Sequence, residues 1–296
     1  MNKIIECVPN FSEGRNLQKV EKIVQCFRAK KGIKLLDYSS DADHNRSVVT
    51  VIGEPEALGK AVVEAITKAV ELIDMTKHKG QHPRMGAVDV VPFIPVRNTT
   101  LTEADQLAKK VAKEVGEKCS LPIILYEKSA TALHRQNLAS VRKGEFESME
   151  QKLSTKKWHS DFGPSTVHPT AGVTAIGARM PLVAYNIKLD TDNLEIATKI
   201  AKTIRHSSGG FRYCKAMGVE LKERGIVEVS MNLTDYSKTA IYRVYETVKM
   251  ECGRYGVNVL GSEIVGLVPM EALIDSAEYY LGLENFSIEQ VLEYRL

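Results

Sequence analysis

Apolar positions along the chain recur with two periods, and segments of the two kinds alternate. Residues 3–8 (KIIECV) read as a strand, 17–29 as a helix, and 33–38 and 47–52 as two more strands. Over 55–74, Leu58, Ala61, Val62, Ala65, Ile66, Ala69, Val70 and Ile73 fall at helical spacing and form one apolar face. The run 88–96 (VDVVPFIPV) is rich in β-branched residues and predicts a buried strand over 88–94. Its prolines, Pro92 and Pro95, lack the N–H that a central ladder uses, so an edge position or an early end is expected. Thr102 with Asp105 reads as a helix start, followed by the apolar stripe Ala104, Leu107, Ala108, Val111, Ala112 and Val115. Residues 121–126 read as a strand, and 130–153 as helix in short pieces.

The second half repeats this order. A strand over 182–189 leads to a helix over 192–206, whose face is Leu194, Ala197, Ile200, Ala201 and Ile204, with Gly209 and Gly210 as terminators. Strands over 213–221 and 226–233 flank the turn-like KERG at 222–225. A helix over 238–254, a strand over 257–265 and two short helices complete the chain. Each half thus reads β-α-β-β-α-β, the split-βαβ or ferredoxin-like order. The expected fold is α/β (α+β), with two such subdomains over 1–180 and 181–296. Between them, 160–181 carries three prolines, three glycines and several hydroxyls without a helical period, and reads as a long site-forming loop.

Composition narrows the class. With 296 residues, 44% hydrophobic and 26% charged, the chain can bury sizeable cores. A net charge of +3 without any Lys/Arg-rich block argues against nucleic acid, while remaining compatible with small anionic substrates. Five scattered cysteines with no C-x-x-C pair suit a reducing cytosol, and the N-terminal residues lack the apolar stretch of a signal peptide. No run is long enough for a membrane span, so a cytoplasmic protein is expected. The Asn10-Phe11-Ser12 sequon is then without consequence.

The densest chemistry precedes the 88–94 strand, in 78–87 (HKGQHPRMGA). An imidazole titrates near neutral pH and can both take and give a proton, so His82, stiffened by Pro83 and flanked by Gly80 and Gly86, is the candidate acid–base group. Its plain alternative is a structural histidine. His78 and His82 have H-x-x-x-H spacing, but Gly80 and Pro83 work against the helix that would aim both rings at zinc, so no metal is expected. The segment 53–60 (GEPEALGK) is one residue too long for a phosphate loop and has Ala61 where a hydroxyl is needed. Arg46, Arg84 and Arg179 are candidates for holding substrate carboxylates. His168 in the long loop, and Asn10 and Ser12 after the first strand, are further cleft candidates, with local capping as the plain reading of the last two.

Several long strings are similar to the formiminotransferase family: ECVPNFSEG at 6–14, IDMTKHKGQHPRMGAVDVVPFIPV at 73–96, DFGPS at 161–165, TAIGAR at 174–179 and VLGSEIVGLVPM at 259–270. The resemblance spans nearly the whole chain. It implies transfer of a formimidoyl group from N-formimidoyl-L-glutamate to N5 of tetrahydrofolate by a stand-alone homodimeric transferase, its deaminase partner a separate protein. It implies His82 as the catalytic acid–base, tetrahydrofolate as co-substrate without a metal, and a positively lined passage between subdomains. The implied folate contacts are Gly163, Pro164, Ser165, Thr166, Val167, His168, Pro169, Thr170, Ala171 and Gly172. The chain departs from mammalian members at 41–46, where DADHNR replaces PSTNR, and within 167–172. Two other readings stay open at this point: formyl transfer from the donor with O in place of NH, and folate binding without turnover.

Overall fold

The computed structural model describes residues 3–295, in two compact units that divide between Arg179 and Met180. In the first, strands β1 (Ile4–Cys7) and β2 (Asn10–Phe11) precede helix α1 (Leu17–Val24). Strands β3 (Ile33–Asp41) and β4 (Arg46–Gly53) form a hairpin, then come α2 (Pro55–Leu72), β5 (Val88–Arg97), α3 (Leu101–Cys119) and β6 (Ile123–Glu127). Two short helices, α4 (Leu138–Arg142) and α5 (Met149–Leu153), precede β7 (Thr174–Ala178). In the second unit β8 (Val183–Leu189), α6 (Leu194–Ile204), β9 (Cys214–Leu221), β10 (Ile226–Leu233), α7 (Ile241–Gly253), β11 (Val259–Val265) and α8 (Met270–Leu281) follow.

The second unit keeps the expected β-α-β-β-α-β order, its antiparallel sheet running β11-β8-β10-β9. Apolar residues alternate inward along β8 and pack on the buried faces of α6 and α7, with Ile187, Ile200, Val229 and Val244 wholly buried. The first unit begins the same way but does not stop there. Its sheet has seven strands: β4 joins β3 to β1 and β2, β5 pairs both of these, and beyond β5 lie β7 and β6.

Three sequence expectations change here. The strand at 88 is neither peripheral nor short, for it runs ten residues and pairs on both sides. Pro92 turns toward the break between β1 and β2, where its carbonyl accepts the Val8 N–H and no N–H is required in return. Pro95 turns the other way, past the end of the β7 pairing at Phe93. Each proline therefore occupies a position whose donor would be idle. Second, 160–181 is not all loop, because 174–178 is a fully buried strand parallel to β5 and β6. Its small residues hid it: a Cβ at Gly177 would meet the Tyr126 carbonyl oxygen at 2.3 Å, so close packing rather than β propensity selects them. Third, α3 begins two residues before the expected start. Thr100 caps it, with Thr100 and Glu103 exchanging side chain-to-backbone hydrogen bonds in a capping box.

β5 carries the candidate site into the first unit. Its N-terminal end is fed by the 78–87 loop, and β4 begins at Arg46.

Candidate active site

Two loops, 41–46 and 78–82, are stitched together by hydrogen bonds. Asn45 Nδ2 donates to the Lys79 carbonyl (3.1 Å), His78 Nε2 donates to the Asn45 carbonyl (2.9 Å), and the Gln81 N–H donates to the Asp43 carbonyl (3.1 Å). Asn45 sits at φ 49°, a left-handed conformation that Asn tolerates better than most residues, and its Oδ1 accepts the Gly14 N–H at 2.9 Å. A side chain at Gly80 has no room, since its Cβ would lie 2.2 Å from the His44 carbonyl oxygen.

This stitching puts Arg46 Nη1 2.7 Å from His82 Nε2. A guanidinium only donates, so Nε2 accepts and carries no proton. A neutral imidazole carries one N–H, and with Nε2 accepting, that proton resides on Nδ1. The ring is half-buried. Burial, then Arg46, Arg142 and His44, push its pKa down to about 3, so the imidazole is neutral across the physiological range. The ring that the sequence presents as near-neutral is thus a far weaker base in the free protein. His44 stands beside it, ring centroids 6.3 Å apart, and its Nδ1 lies 2.9 Å from Asp41, whose carboxyl the His44 hydrogen bonds hold below the usual range.

Behind the ring Arg142 pairs with Asp89, and Asp89 also accepts the Met85 N–H at 2.9 Å. Asp89 is 1% exposed, and burial raises its pKa against the pull of Arg142. Asp89 balances Arg142, whereas Arg46 has no carboxylate within ion-pair distance among the described residues, and its Nε is buried without a partner. One positive charge is left over beside a neutral imidazole. That suits a carboxylate ligand.

The other candidates are placed as follows. Arg84, 8% exposed, is gripped by Glu145 (2.6 Å) and Glu147 (2.6 Å) and donates to His78 Nδ1 at 3.3 Å, so its fork is already filled. Arg84→Ala is expected to cost about 1.5–3 kcal/mol of stability, since hydrogen bonds to charged groups are lost. Substrate KM should stay within twofold, and denaturant unfolding together with KM measurement checks both. Both nitrogens of His78 are engaged by Asn45 and Arg84, and no cluster of three or more metal-ligating side chains occurs among the described residues. Arg179 follows β7 beside Glu6, and its N–H donates to the Phe93 carbonyl. Arg179 is not among the charged groups that shift His82, which are Arg46, Arg142 and His44.

Ser12 is buried, its hydroxyl donating to the Gly86 carbonyl at 2.7 Å, and Asn16 rather than Ser12 caps α1. Half-buried Asn10 lies in β2 and donates to the Val8 carbonyl at 3.0 Å. In 163–172, Gly163 (φ 72°) and Gly172 (φ 72°) are both left-handed and pressed on backbone, the first on Leu121 and the second on Met85. Between them Pro164, Thr166, Pro169 and Thr170 are exposed, Ser165, Val167 and His168 half-buried, and Ala171 buried. His168 Nδ1 accepts the Ala171 N–H at 2.9 Å, closing a turn. Backbone bonds from Met75 to Thr170 and from Ala87 to Ala171 fasten this segment to the ends of the His82 loop.

Sequence reasoning missed Asp89 and Arg142. A lone acid inside the apolar VDVV run was a usable signal, since buried carboxylates need partners. Nothing in the sequence marked Arg142, which sits on a five-residue helix.

With the geometry in hand, two family descriptions match the chain: "Formiminotransferase domain, N-terminal subdomain" over residues 4–179 and "Formiminotransferase domain" over 184–294. The chain belongs to the formiminotransferase family. A glutamate formimidoyltransferase of Streptococcus pyogenes serotype M1 is 54% identical, the alignment covering 100% of this chain and 99% of the relative. A protein of the same name from Thermoplasma acidophilum is 44% identical over 99% of this chain and 97% of its own length. The formimidoyltransferase-cyclodeaminase of Rattus norvegicus is 40% identical and is matched over 56% of its length.

Proposed function

We propose that this chain moves a formimidoyl group from N-formimidoyl-L-glutamate to N5 of tetrahydrofolate, giving 5-formimidoyltetrahydrofolate and L-glutamate. The observation that carries this reading is a neutral imidazole, within the longest of the strings similar to the family, 2.7 Å from a guanidinium with no carboxylate in ion-pair distance among the described residues. The donor brings the missing carboxylates, and the reaction needs a group that shuttles one proton.

In this reading the N5 amine attacks the amidine carbon, and the N5–C bond forms in a tetrahedral adduct. N5 then carries an extra proton, which His82 Nε2 accepts. His82 returns that proton to the glutamate nitrogen, the C–N bond breaks, and glutamate leaves as an amine rather than an amide anion. Orientation of two bound substrates supplies the other large share of the rate.

We further propose that 163–172 contacts the folate, because its exposed centre is fastened at both ends and its far end is bonded to 85–87. Arg46 holds a donor carboxylate. Two subdomains, 1–180 and 181–296, a cytoplasmic homodimer and a separate cyclodeaminase complete the reading. The test offers tetrahydrofolate with formimidoylglutamate and N-formylglutamate in parallel. Formation of 5-formimidoyltetrahydrofolate from the first donor, at least tenfold faster than formyl transfer from the second, is expected. Turnover of the formyl donor alone would assign formyl transfer instead.

A further inference from the structure

Arg46 is spent on an unusual acceptor. A guanidinium has five N–H donors, and forked pairing with a carboxylate uses two of them at once. Here Nη1 donates to a neutral ring nitrogen at 2.7 Å, and Nε is buried with no partner. The backbone beneath it has no freedom to relieve this. Arg46 opens β4 opposite Asp41, and a Cβ at Gly14 would lie 2.6 Å from the Arg46 nitrogen. Asn45 before it is pinned by Gly14 and Lys79. Only the side chain can re-pair.

The contact also has a chemical consequence. The Nε2 lone pair that Arg46 occupies is the only one on the ring, because Nδ1 carries the proton. While Arg46 points at it, His82 cannot accept a proton from anything else.

We propose that Arg46 is a substrate-released cap on His82: a carboxylate of the glutamyl substrate takes the guanidinium in a forked pair and thereby exposes Nε2 to the reacting amine. The proposal rests on the reading of His82 as the acid–base group and adds to it a control by substrate. Base strength and donor occupancy become linked, since a carboxylate on Arg46 both removes the blocking N–H and cancels the charge that disfavours imidazolium. The charged and titratable groups facing His82 are Arg46, Arg142 and His44, while Asp89 and Asp41 act on Arg46. Arg142 is already neutralised by Asp89, so Arg46 is the cation whose state the substrate can change. Without a carboxylate-bearing donor the base stays capped, which protects the reactive site from idle proton exchange.

The test is a pH titration of His82 ring nitrogens by NMR on the full chain labelled with ¹⁵N-histidine, the signal assigned by its loss in His82→Gln. L-Glutamate is the probe. In the wild type the titration midpoint is expected to rise by at least one pH unit on saturation with glutamate. In Arg46→Ala the midpoint should already be higher and glutamate should leave it unmoved, with KM for the donor raised tenfold or more. Arg46→Lys keeps the charge without the fork and should regain part of the glutamate response. The wild-type comparison needs no variant, so a poorly folding Arg46→Ala leaves the proposal exposed to test. An unchanged wild-type midpoint with glutamate bound, or an equal shift in Arg46→Ala, overturns the cap. Because this readout does not use turnover, an active His82→Ala would overturn the acid–base reading separately.

Discussion

His82→Ala is expected to lower kcat by about 10²–10⁴-fold while leaving tetrahydrofolate binding within twofold. The ring is half-buried at the edge of the two stitched loops, and its removal breaks one hydrogen bond, to Arg46, so the fold should survive. The loss then falls on proton transfer alone. A steady-state assay with a parallel folate-binding titration separates the two effects. Activity within tenfold of wild type would remove His82 from the chemistry and leave proximity of the two substrates as the main source of rate. His82→Gln is the companion variant, since its amide can keep a hydrogen bond to Arg46 without titrating. It should be as inactive as alanine.

The largest stability effect is expected at Asp89. It is 1% exposed in the central strand β5, accepts the Met85 N–H, and pairs with Arg142. Removing one partner of a buried pair leaves the other charge without compensation, at a cost of about 3–5 kcal/mol. For a unit of this size Asp89→Ala should lower Tm by roughly 6–20 °C in a thermal unfolding scan. Asp89→Asn keeps an acceptor for Met85 and isolates the charge contribution, so it should recover a minor part. A Tm change under 3 °C in Asp89→Ala would show that Arg142 is well solvated and that the pair adds little. Both variants also leave two uncompensated guanidinium groups beside His82, so any residual donor binding should tighten at low ionic strength.

Much of the architecture was legible because burial leaves a periodic trace. The alternation along β4 and β8, and the apolar stripes of α2, α3 and α6, are the direct record of one face turned inward. β7 left no such record. It is buried on both faces and made of small residues, so it has neither alternation nor bulk, and its place is set by contact with Tyr126. Pro92 and Pro95 misled for a related reason: a proline's cost depends on whether its missing donor faces a partner, which is a property of the neighbouring strands.

The candidate site divides the same way. His82 stood out from local chemistry, a titratable ring set among Gly and Pro before a buried strand. The three arginines could not be ranked, because a guanidinium's role depends on which carboxylates reach it. Glu145 and Glu147 fill Arg84 from 61 and 63 residues away, whereas Arg46 reaches no carboxylate within ion-pair distance among the described residues and turns to His82.

What the sequence determined by itself was therefore what neighbours in the chain decide: the element types, the mixed α/β class and the family, with His82 as the candidate it offered. What only the tertiary structure decided was which charges are neutralised and which donors are idle. Those outcomes depend on distances between residues far apart in sequence, and charge pairing weakens too steeply with separation and solvent for composition to foretell it.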